Sequence, residues 1–369
     1  GVSIRELIET FLPRGFFPAV VPGTWHVTVG GAIANDIHGK NHHVDGSFCD
    51  HVRRMQILTA SGDIIACDRE ATPDLFWATV GGLGLTGIIL SAEMQLTRVE
   101  SELVEMASIR FEDLDGFFEV SRESASATHV VGWLDSVASG PALGRGILMR
   151  GRHAPAGREA SPDPLGRLTD ALEPVLAVPF DLPDWLMNRV TMRLFNEAYF
   201  RKHPRGRREV VVPYGPYFFP LDFVRDWNRG YGKRGMLQYQ LSVPPAAAHD
   251  ALRAVLNEIT HSGMPSFLTV IKEFGDRSHG GLSFPTPGAL LALDFPNFGA
   301  PLLALLERLD ALVADAGGRV YLGKDARLPR DVFRRMYPEW ERWKAVRDHW
   351  DPDHVFQSAL GRRLGLSGE

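Results

Sequence analysis

Apolar and polar residues recur along the chain with two different periods, and each period predicts its own kind of element. From Ser3 onward, apolar residues fall three or four positions apart, which is the spacing of an amphipathic helix that ends at Pro13. Ser3 is a residue type that caps helices, and Thr72 is expected to cap a second helix that begins with a proline. The further predicted helices are 72–80, 247–259, 302–316 and 338–350, the last with Pro338 in its first turn.

Alternation of apolar and polar residues predicts strands over much of the remaining chain. The clearest case is a hairpin of 52–58 and 63–67, which turns at Ser61-Gly62-Asp63. Because helices are mixed with mostly antiparallel strands, we expect an α+β fold. The other predicted strands are 17–20, 88–96, 107–111, 130–134, 146–150, 209–212, 236–243, 266–274, 289–295 and 319–322.

Residues 21–43 fit neither period. The stretch contains four glycines, four histidines and one lysine, so it has too little apolar surface for a core. Gly30-Gly31 let the backbone approach another group closely or adopt a positive φ. A glycine-rich turn of this kind can present backbone N–H groups to an anion or a planar ligand. The alternative is a tight turn between two strands with exposed polar residues.

A second glycine-rich loop spans 81–87 and contains the pattern GxGxxG from Gly82 to Gly87. The dinucleotide-binding fingerprint requires a strand before the glycines and a helix after them. Here a predicted helix precedes the loop and a predicted strand follows it, so we exclude a Rossmann NAD site. The glycines instead favour close packing of the loop against a flat ligand or another backbone.

Composition narrows the class of protein. A length of 369 residues favours two domains, and a formal net charge of -5 argues against general nucleic-acid affinity. Two cysteines, Cys49 and Cys67, are more typical of a reducing compartment than of a disulfide scaffold. No apolar run reaches the roughly 18 residues of a membrane span, and the chain begins almost directly in a helix. We expect a cytoplasmic or peripheral membrane location, with any targeting signal lying upstream.

Two residues stand out as candidates for chemistry. Lys324 follows a predicted strand, where burial against an aromatic ring could free its amine to act as a base. The alternative is a surface lysine that pairs with Asp325. His38 and His42 lie four positions apart, but no third ligand is clearly spaced to complete a metal site, so none is predicted.

Two strands carry polar residues that their neighbours do not explain. Lys272 interrupts an apolar strand, and a charge in such a position usually points to solvent. Gln238 and Gln240 share one face of a strand by the period of two, and that face borders either solvent or a cavity.

Residues 153–208 are rich in proline and arginine and are predicted to form a mobile excursion or lid. The basic run 201–208 has two interpretations. It is either a solvated loop or a contact for a lipid headgroup or phosphate.

Several of these motifs together resemble one known family. They are similar to the decaprenylphosphoryl-β-D-ribose 2′-oxidases, which are vanillyl-alcohol-oxidase-like flavoenzymes with a PCMH-type FAD-binding domain. The resemblance runs over almost the whole chain. The motifs that carry it are 23–24, 27–34, 36–43, 46–48, 76–82, 84–89, 237–240 and 324–325.

The resemblance implies a two-part FAD-binding domain and a substrate domain. The FAD-binding parts would be 1–102 and 319–369, and 103–318 would form an antiparallel substrate domain. Family members begin with a further glycine-rich segment, so this chain is expected to hold only the second half of the N-terminal FAD-binding part. The residues expected to line FAD are Gly23, Thr24, Gly30, Gly31, Ala34, Asn35, Ile37, His38, Gly39, Asn41, Gly81, Gly82, Gly84, Gly87 and Ile88.

The implied reaction moves a hydride from a sugar secondary alcohol to flavin N5. The substrate would be a polyprenyl-phosphoryl sugar, and an NADH-dependent keto-reductase partner would complete an epimerisation. By position, Lys324 corresponds to the base or the group that orients the hydroxyl. The other implied contacts are catalytic Tyr321 and His38, and the substrate-binding residues Lys40, Gln240, Lys272, Trp133 and Trp227.

Three departures from the family pattern leave the substrate open. Ala292 replaces a cysteine that faces the flavin, Leu290 replaces an asparagine, and Val131 replaces a serine of the pocket. Together they make the pocket more apolar. The alternatives are an aldonolactone or alditol oxidase, a tailoring oxidase of a soluble sugar or nucleoside, and a non-catalytic truncated flavoprotein.

Overall fold

A computed structural model describes residues 1–162, 176–276 and 279–368. Helices and strands alternate through the described chain, as the two periods predicted. The helices are α1 (Ile4–Phe11), α2 (Val29–Ala34), α3 (His42–Asp45), α4 (Pro73–Thr79), α5 (Leu114–Glu123), α6 (Arg189–Lys202), α7 (Tyr214–Phe218), α8 (Ala248–Ser262), α9 (Ala300–Asp315), α10 (Arg330–Met336), α11 (Trp340–Trp350) and α12 (Ala359–Leu364).

The strands pair almost entirely antiparallel, so the predicted α+β class is confirmed. One short pair, β9 with β11, is parallel. The strands are β1 (Phe16–Pro18), β2 (Val52–Leu58), β3 (Ile64–Asp68), β4 (Ile88–Met94), β5 (Leu96–Arg98), β6 (Leu103–Phe111), β7 (His129–Leu134), β8 (Gly146–His153), β9 (Leu176–Ala177), β10 (Arg207–Pro213), β11 (Val224–Arg225), β12 (Met236–Val243), β13 (Leu268–Phe274), β14 (Gly288–Pro296) and β15 (Arg319–Val320).

A large sheet has the strand order β10-β6-β8-β7-β13-β14-β12-β15. Successive residues of a strand point to opposite faces, so each strand presents two different surfaces. Odd-numbered residues of β12 and β14, such as Leu241 and Leu293, join the main apolar core with α8 and α9. Even-numbered residues, such as Gln240 and Ala292, therefore lie on the opposite face, which borders the candidate site.

A small sheet of order β3-β2-β4 forms the centre of the N-terminal region. The buried rings of Trp25, Phe48 and Phe76 pack there together with α1, α2 and α4. Phe218 and Phe219 from α7 and the residue that follows it belong to the same cluster. The N-terminal region and the large sheet therefore share buried apolar surface.

The C-terminal segment contacts both regions. β15 pairs with β12 of the large sheet. Further along, Trp343 Nε1 donates to the carbonyl oxygen of Ala78 at 2.8 Å, which ties α11 to α4. The buried guanidinium of Arg347 is held by Asp351 at 3.2 Å, and its Nε donates to the carbonyl oxygen of Leu85. The loop at 81–87 is thus supported from behind by α11.

Most predicted helix and strand positions agree with the structure, and the local signals explain why. Ser3 forms a capping box with Glu6 at the start of α1. Gly263, the residue that follows α8, adopts the left-handed conformation, and a glycine in this conformation commonly ends a helix. The predicted hairpin is the antiparallel pair of β2 and β3.

Several local predictions were wrong. Thr72 occupies the N-cap position of α4 as predicted, but its side chain makes no capping hydrogen bond; its hydroxyl instead accepts from the backbone N–H of Asp68. Pro338 precedes α11, whose N-cap is Glu339. The helix α5 was not predicted; Asp113 caps it by accepting from the N–H of Gly116.

The proposed excursion at 153–208 is only partly described, since 163–175 lie outside the described residues. The described part contains regular structure. The basic run 201–208 is not a single loop, because α6 continues to Lys202 and β10 begins at Arg207. None of the described helices is long and apolar enough to cross a membrane.

Candidate active site

The site is laid out on the face of the large sheet that carries the even-numbered residues of β12, β13 and β14. Antiparallel pairing sets cross-strand partners directly opposite each other with their side chains on the same face. Ala292 lies opposite Gln240 on one side and opposite Val270 on the other, and Val270 lies opposite Trp133. These four residues form one row across β7, β13, β14 and β12. In the same register, Lys272 lies opposite Leu290.

His38 joins this face to the glycine-rich stretch. Its Nε2 lies 2.6 Å from the Gln240 amide nitrogen, and its Nδ1 lies 2.8 Å from Lys272 Nζ. Lys272 Nζ also donates to the carbonyl oxygen of Gly39 at 2.7 Å. Burial lowers the pKa of His38 well below its usual value, and the positive charge of Lys272 lowers it further. His38 is therefore neutral, with both ring nitrogens engaged.

His38, Lys272 and Gln240 can share their protons in two arrangements. If Lys272 is protonated, it donates to Nδ1, and His38 carries its proton on Nε2 and needs the Gln240 amide oxygen as acceptor. If Lys272 is neutral, it accepts from Nδ1–H, and Nε2 accepts from the Gln240 amide nitrogen. The arrangements differ by one proton. Because burial lowers the pKa of Lys272 to about 7, both are accessible near neutral pH.

The expectation that Lys272 points to solvent was wrong. Its side chain is buried, with 8% of the residue exposed. The period of two assigns Lys272 to one of two strand faces, but it does not show what covers that face. Here the face is covered by His38, from the N-terminal part of the chain. Buried lysines are rare unless they are paired or functional.

Lys324 stands beside a buried carboxyl group. It lies in a short 3-10 turn, Leu322–Lys324, and the strand before it is shorter than predicted. Burial lowers the pKa of Lys324, and the charge of Asp294 opposes that shift. Burial also raises the pKa of Asp294 to about 6, although Gln238 donates to its carboxylate at 2.6 Å. Lys324 is exposed in the structure, yet protein groups surround it closely enough to depress its pKa.

The alternative that Lys324 pairs with Asp325 was wrong. Asp325 accepts a hydrogen bond from Arg363 at 2.8 Å. It also accepts from the backbone N–H groups of Arg327 and Leu328. Asp325 therefore holds the chain after the turn, and Lys324 is available to the site.

Aromatic rings surround the imidazole of His38. Phe274, Phe284 and Tyr321 have ring centroids 4.8, 5.8 and 5.8 Å from it. Tyr321 is buried, stacks on Phe284 and donates from its hydroxyl to the carbonyl oxygen of Asn35 at 3.0 Å. Tyr321 thereby fixes the C-terminal segment against the end of α2.

The two glycine-rich stretches meet through their backbones. The N–H groups of Gly81 and Leu83 donate to the carbonyl oxygens of Ile33 and Ala34 at 3.1 and 2.8 Å. α2 starts next to them, where the hydroxyl of Thr28 accepts from the N–H of Gly31. The family resemblance predicts that both stretches line FAD, and the structure brings them together.

Three glycines of these stretches have open space beside their backbone, which we call the cradle, whereas Gly81 and Gly82 pack against protein atoms. A methyl group added at Gly23 or Gly84 would meet no protein atom within 4 Å, and at Gly30 the nearest atom would be 3.9 Å away. Gly84 also has a φ of 74°, a conformation that favours glycine. Open space beside bare backbone fits a flat cofactor such as FAD, whose rings and phosphates are held by close backbone approach.

Lys40 is a second lysine of the site, and it is half-buried. Its ammonium donates to the backbone carbonyl oxygen of Tyr217 and lies 4.4 Å from the centroid of the Tyr217 ring. Burial lowers the pKa of Lys40 to about 7, and the charge of Lys40 in turn lowers the pKa of Lys272. In the described chain, Asp294 beside Lys324 is the only acidic group that raises the pKa of any of the three site lysines. The site therefore carries excess positive charge.

Trp133 and Trp227 lie in different places. Trp133 is buried on the row that contains Gln240, and its ring centroid is 4.7 Å from Tyr199 of α6. Trp227 is in a 3-10 turn with its ring 6.1 Å from Tyr231, and the described ring contacts do not bring it to His38. Trp133 thus belongs to the wall of the site.

Some predicted cofactor residues have structural contacts of their own. Asn41 donates to the carbonyl oxygen of Ala19 and to the carboxylate of Asp45. Ile37 is buried, and Ile88 is 52% exposed at the start of β4. Thr24 lies beside Asp222, which accepts from the N–H of Trp25 at 2.8 Å.

No metal centre appears among the described residues, where no group of three or more metal-binding side chains converges. His42 does not pair with His38 as a ligand. It accepts a hydrogen bond from the N–H of Gly275 on Nδ1, and burial lowers its pKa to about 3.

Sequence reasoning missed three residues of the site. Asp294 shares a strand face with Ala292, and the period of two could have placed it beside the Gln238 side chain. Phe274 and Phe284 enclose His38, but apolar residues of their kind occur throughout the core. No sequence signal separates them from other buried rings.

Comparison with known proteins follows the same division of the chain. The family model of an FAD binding domain matches residues 1–68, and that of D-arabinono-1,4-lactone oxidase matches residues 296–364. The chain is 40% identical to the decaprenylphosphoryl-beta-D-ribose oxidase of Mycolicibacterium smegmatis, over 99% of this chain and 80% of that protein.

Two other relatives differ in extent. An uncharacterized protein from the mprA 5′ region of Streptomyces coelicolor is 37% identical over 99% of this chain and 100% of its own length. Cytokinin dehydrogenase 4 of Oryza sativa is 32% identical over 31% of this chain and 22% of that protein. The similarity to the two bacterial proteins is therefore nearly end to end in this chain, and the plant similarity is local.

Proposed function

The chain belongs to the decaprenylphosphoryl-β-D-ribose oxidase family, whose cofactor is FAD, and we propose that it oxidises a secondary hydroxyl of a polyprenyl-phosphoryl pentose to a ketone. Ribose is the proposed pentose, because the relative from M. smegmatis is named for that sugar. The C2 hydroxyl is the proposed position of attack, as the family resemblance implies.

The observation that carries the proposal is the excess of positive charge in the site. Lys40, Lys272 and Lys324 belong to the site, and among the described residues only Lys324 has an acidic neighbour that raises its pKa. A cation that is removed from water without a carboxylate partner is costly. An anionic substrate offsets that cost, and a phosphorylated sugar carries the required charge.

Bound FAD supplies the acceptor for the hydride that leaves the sugar carbon. Lys324 removes the hydroxyl proton, since its lowered pKa makes the neutral amine available. Once Lys324 is protonated, the nearby carboxylate of Asp294 stabilises its positive charge. Exposure of Lys324 toward the site then lets the proton leave to solvent.

His38 positions the sugar and does not accept the proton. Its low pKa makes it a weak base, and both of its ring nitrogens already have partners. Gln240 and Lys272 hold the ring in place, while Phe274 and Tyr321 fix its plane. When the Gln240 amide nitrogen donates to Nε2, its second amide hydrogen remains for a sugar hydroxyl.

Inversion of the sugar at the oxidised carbon requires a second enzyme that reduces the ketone. We propose an NADH-dependent keto-reductase as that partner, which would return a hydride to the opposite face of the carbon. The two reactions together would convert a ribosyl lipid to its arabinosyl epimer for cell-wall polymers. Separate reduction of the ketone by a purified reductase would test this role.

The first test is spectroscopic and uses the protein after reconstitution with FAD. A flavin absorbance band that bleaches on anaerobic addition of farnesylphosphoryl ribose supports the proposal. Absence of a flavin band would instead support the non-catalytic alternative.

The second test separates Lys324 from cofactor binding. We expect Lys324→Ala to retain FAD and to slow flavin reduction by about 10²–10⁴-fold, the usual contribution of a general base. Lys233→Ala is the matched control, because Lys233 is an exposed lysine outside the site. Single-turnover reduction at the wild-type rate in Lys324→Ala would remove Lys324 from this role.

A lactone oxidase is the second candidate. The match of residues 296–364 to D-arabinono-1,4-lactone oxidase favours it, as does the apolar patch of Leu290 and Ala292. A lactone is uncharged and leaves the site lysines without a counter-charge. Faster turnover of D-arabinono-1,4-lactone than of farnesylphosphoryl ribose would establish this alternative.

A further inference from the structure

Exposed apolar side chains are concentrated in one segment of the chain. Six of the fourteen large exposed apolar residues in the described chain fall within 176–195. Isolated apolar residues are normal on a protein surface, but a cluster marks an interaction site. The six residues and their exposed fractions are Leu176 (62%), Phe180 (62%), Trp185 (72%), Val190 (68%), Leu194 (69%) and Phe195 (48%).

The exposure is not caused by a loosely attached helix. The opposite face of α6 is held by Asn196, which is buried and donates to Asp135 at 2.7 Å. Arg145 bridges Asp135 and Glu197 at 2.6 Å each, and Phe200 is buried beneath it. α6 is thus anchored on one face while Val190 and Leu194, one turn apart, stand on the other.

Cations are interleaved with these apolar residues. Arg189, Arg193 and Arg201 line a shallow depression with Val190 and Leu194. The one carboxylate on this stretch of α6, Glu197, is already bonded to Arg145 and Arg201. The helix therefore presents apolar side chains beside excess positive charge.

We propose that the surface formed by Arg189, Val190, Arg193 and Leu194, with Trp185 just before α6, rests on an anionic lipid bilayer. An apolar face with arginines at its border is the pattern of a protein segment that lies in the membrane interface. The apolar side chains enter the boundary of the acyl chains, and the arginines contact lipid phosphates, where their charge is attracted to anionic headgroups.

The position of this membrane surface is related to the active site. The inner face of α6 places Tyr199 against Trp133, which belongs to the wall of the site. One helix therefore faces the bilayer on one side and the site on the other. This step rests on the proposed function, because a substrate with a lipid tail must be drawn from a membrane.

The test is flotation of the full-length, FAD-loaded protein with vesicles of phosphatidylcholine and phosphatidylglycerol. We expect Val190→Glu/Leu194→Glu to lower the vesicle-bound fraction at least tenfold, and Trp185→Phe to remove most of the vesicle-induced shift in tryptophan fluorescence. The control is Ile64→Glu/Val355→Glu, which adds the same charges at equally exposed apolar positions elsewhere. Vesicles of phosphatidylcholine alone should bind less protein.

Flavin absorbance and turnover of soluble farnesylphosphoryl ribose separate this proposal from the proposed function. Both should be unchanged in Val190→Glu/Leu194→Glu, so lost vesicle binding with intact turnover supports the membrane surface. Equal flotation of wild type and this variant would overturn it. Self-association that the variant abolishes, without vesicle binding by the wild type, would also overturn it and assign the surface to a second copy of the chain.

Discussion

On one side of the site the chain presents backbone, and on the other side it presents side chains. The N-terminal side consists of two glycine-rich stretches whose carbonyl and N–H groups are joined directly, as at Gly81 and Ile33. The large sheet instead presents Gln240, Lys272 and Trp133 from a fixed antiparallel register. His38 is the exception, because it projects from the glycine side into the side-chain face.

The difference separates two tasks. A surface of backbone atoms recognises shape, and it changes little when individual side chains change. A sheet face can exchange one side chain for another while the register stays constant, as Leu290 and Ala292 show. We therefore expect substitutions on the glycine side to affect folding and FAD binding, and substitutions on the sheet to affect the substrate.

The largest expected effect is at Gly87. Its φ is 145°, and an added methyl group would lie 2.5 Å from Ile57 Cγ2 and 2.6 Å from the Leu58 carbonyl oxygen. We expect Gly87→Ala to lower the free energy of unfolding by about 3–5 kcal/mol through backbone strain and overpacking. Urea denaturation of the FAD-free protein measures this loss.

Gly84→Ala is the matched control for that substitution. The new methyl group meets no protein atom within 4 Å, so only the strain of a φ of 74° remains. We expect a loss of about 1–2 kcal/mol in stability and a clear loss of FAD affinity, because the methyl group occupies the cradle. If Gly84→Ala bound FAD as tightly as the wild type, the cradle would not be the cofactor surface.

An intermediate effect is expected from the pH dependence that Lys272 imposes on stability. The pKa of an unfolded lysine is about 10.4, and burial lowers that of Lys272 to about 7 in the folded protein. Between those values the unfolded chain binds more protons, so stability rises with pH. From pH 7 to 8.5, the free energy of unfolding of the wild type should rise by about 1–2 kcal/mol relative to Lys272→Met.

Chemical denaturation at a series of pH values tests this slope without substrate. Lys233→Met, at an exposed position, should follow the wild type across the range. Parallel curves for the wild type and Lys272→Met would mean that Lys272 is charged in the folded site at pH 8.5. The sheet side of the site would then carry a charged lysine, and the proposed difference from the backbone side would be wrong.

The smallest effect is expected at Ala292, on the sheet. Ala292→Cys adds one sulfur atom between Gln240 and Val270 in a position that is only partly buried. We expect stability to change by less than about 1 kcal/mol, since the added volume is small. FAD affinity should not change, and the ratio of kcat/KM for two sugars should shift by less than about tenfold. A loss of FAD affinity as large as in Gly84→Ala would contradict the division between the two sides.

The fold could be predicted largely from local signals. The helix that Ser3 caps, the hairpin of β2 and β3 and the end of α8 at Gly263 all depend on neighbours within a few residues. α5 escaped prediction because Gly116 interrupts its first turn, a residue that weakens a helix by about 1 kcal/mol when considered alone.

The site could be predicted only where residue type and motif were sufficient. His38, Gln240 and Tyr321 were predicted from the family resemblance. In the structure, Gln240 and Tyr321 both contact the imidazole ring of His38. The burial of Lys272 could not be deduced, because the period of two specifies alternate faces and does not specify which face is covered. The covering group, His38, is 234 residues away in the sequence.

That separation also sets the order in which the molecule can assemble. The hydrogen bonds of His38 close loops of 202 and 234 residues, whereas the hairpin of β2 and β3 closes locally. Long loops cost more entropy to close and slow the contacts that depend on them. During synthesis, His38 must wait until β12 and β13 have left the ribosome. The candidate active site is therefore a late product of folding, and its formation requires that the chain from His38 to Lys272 has come together.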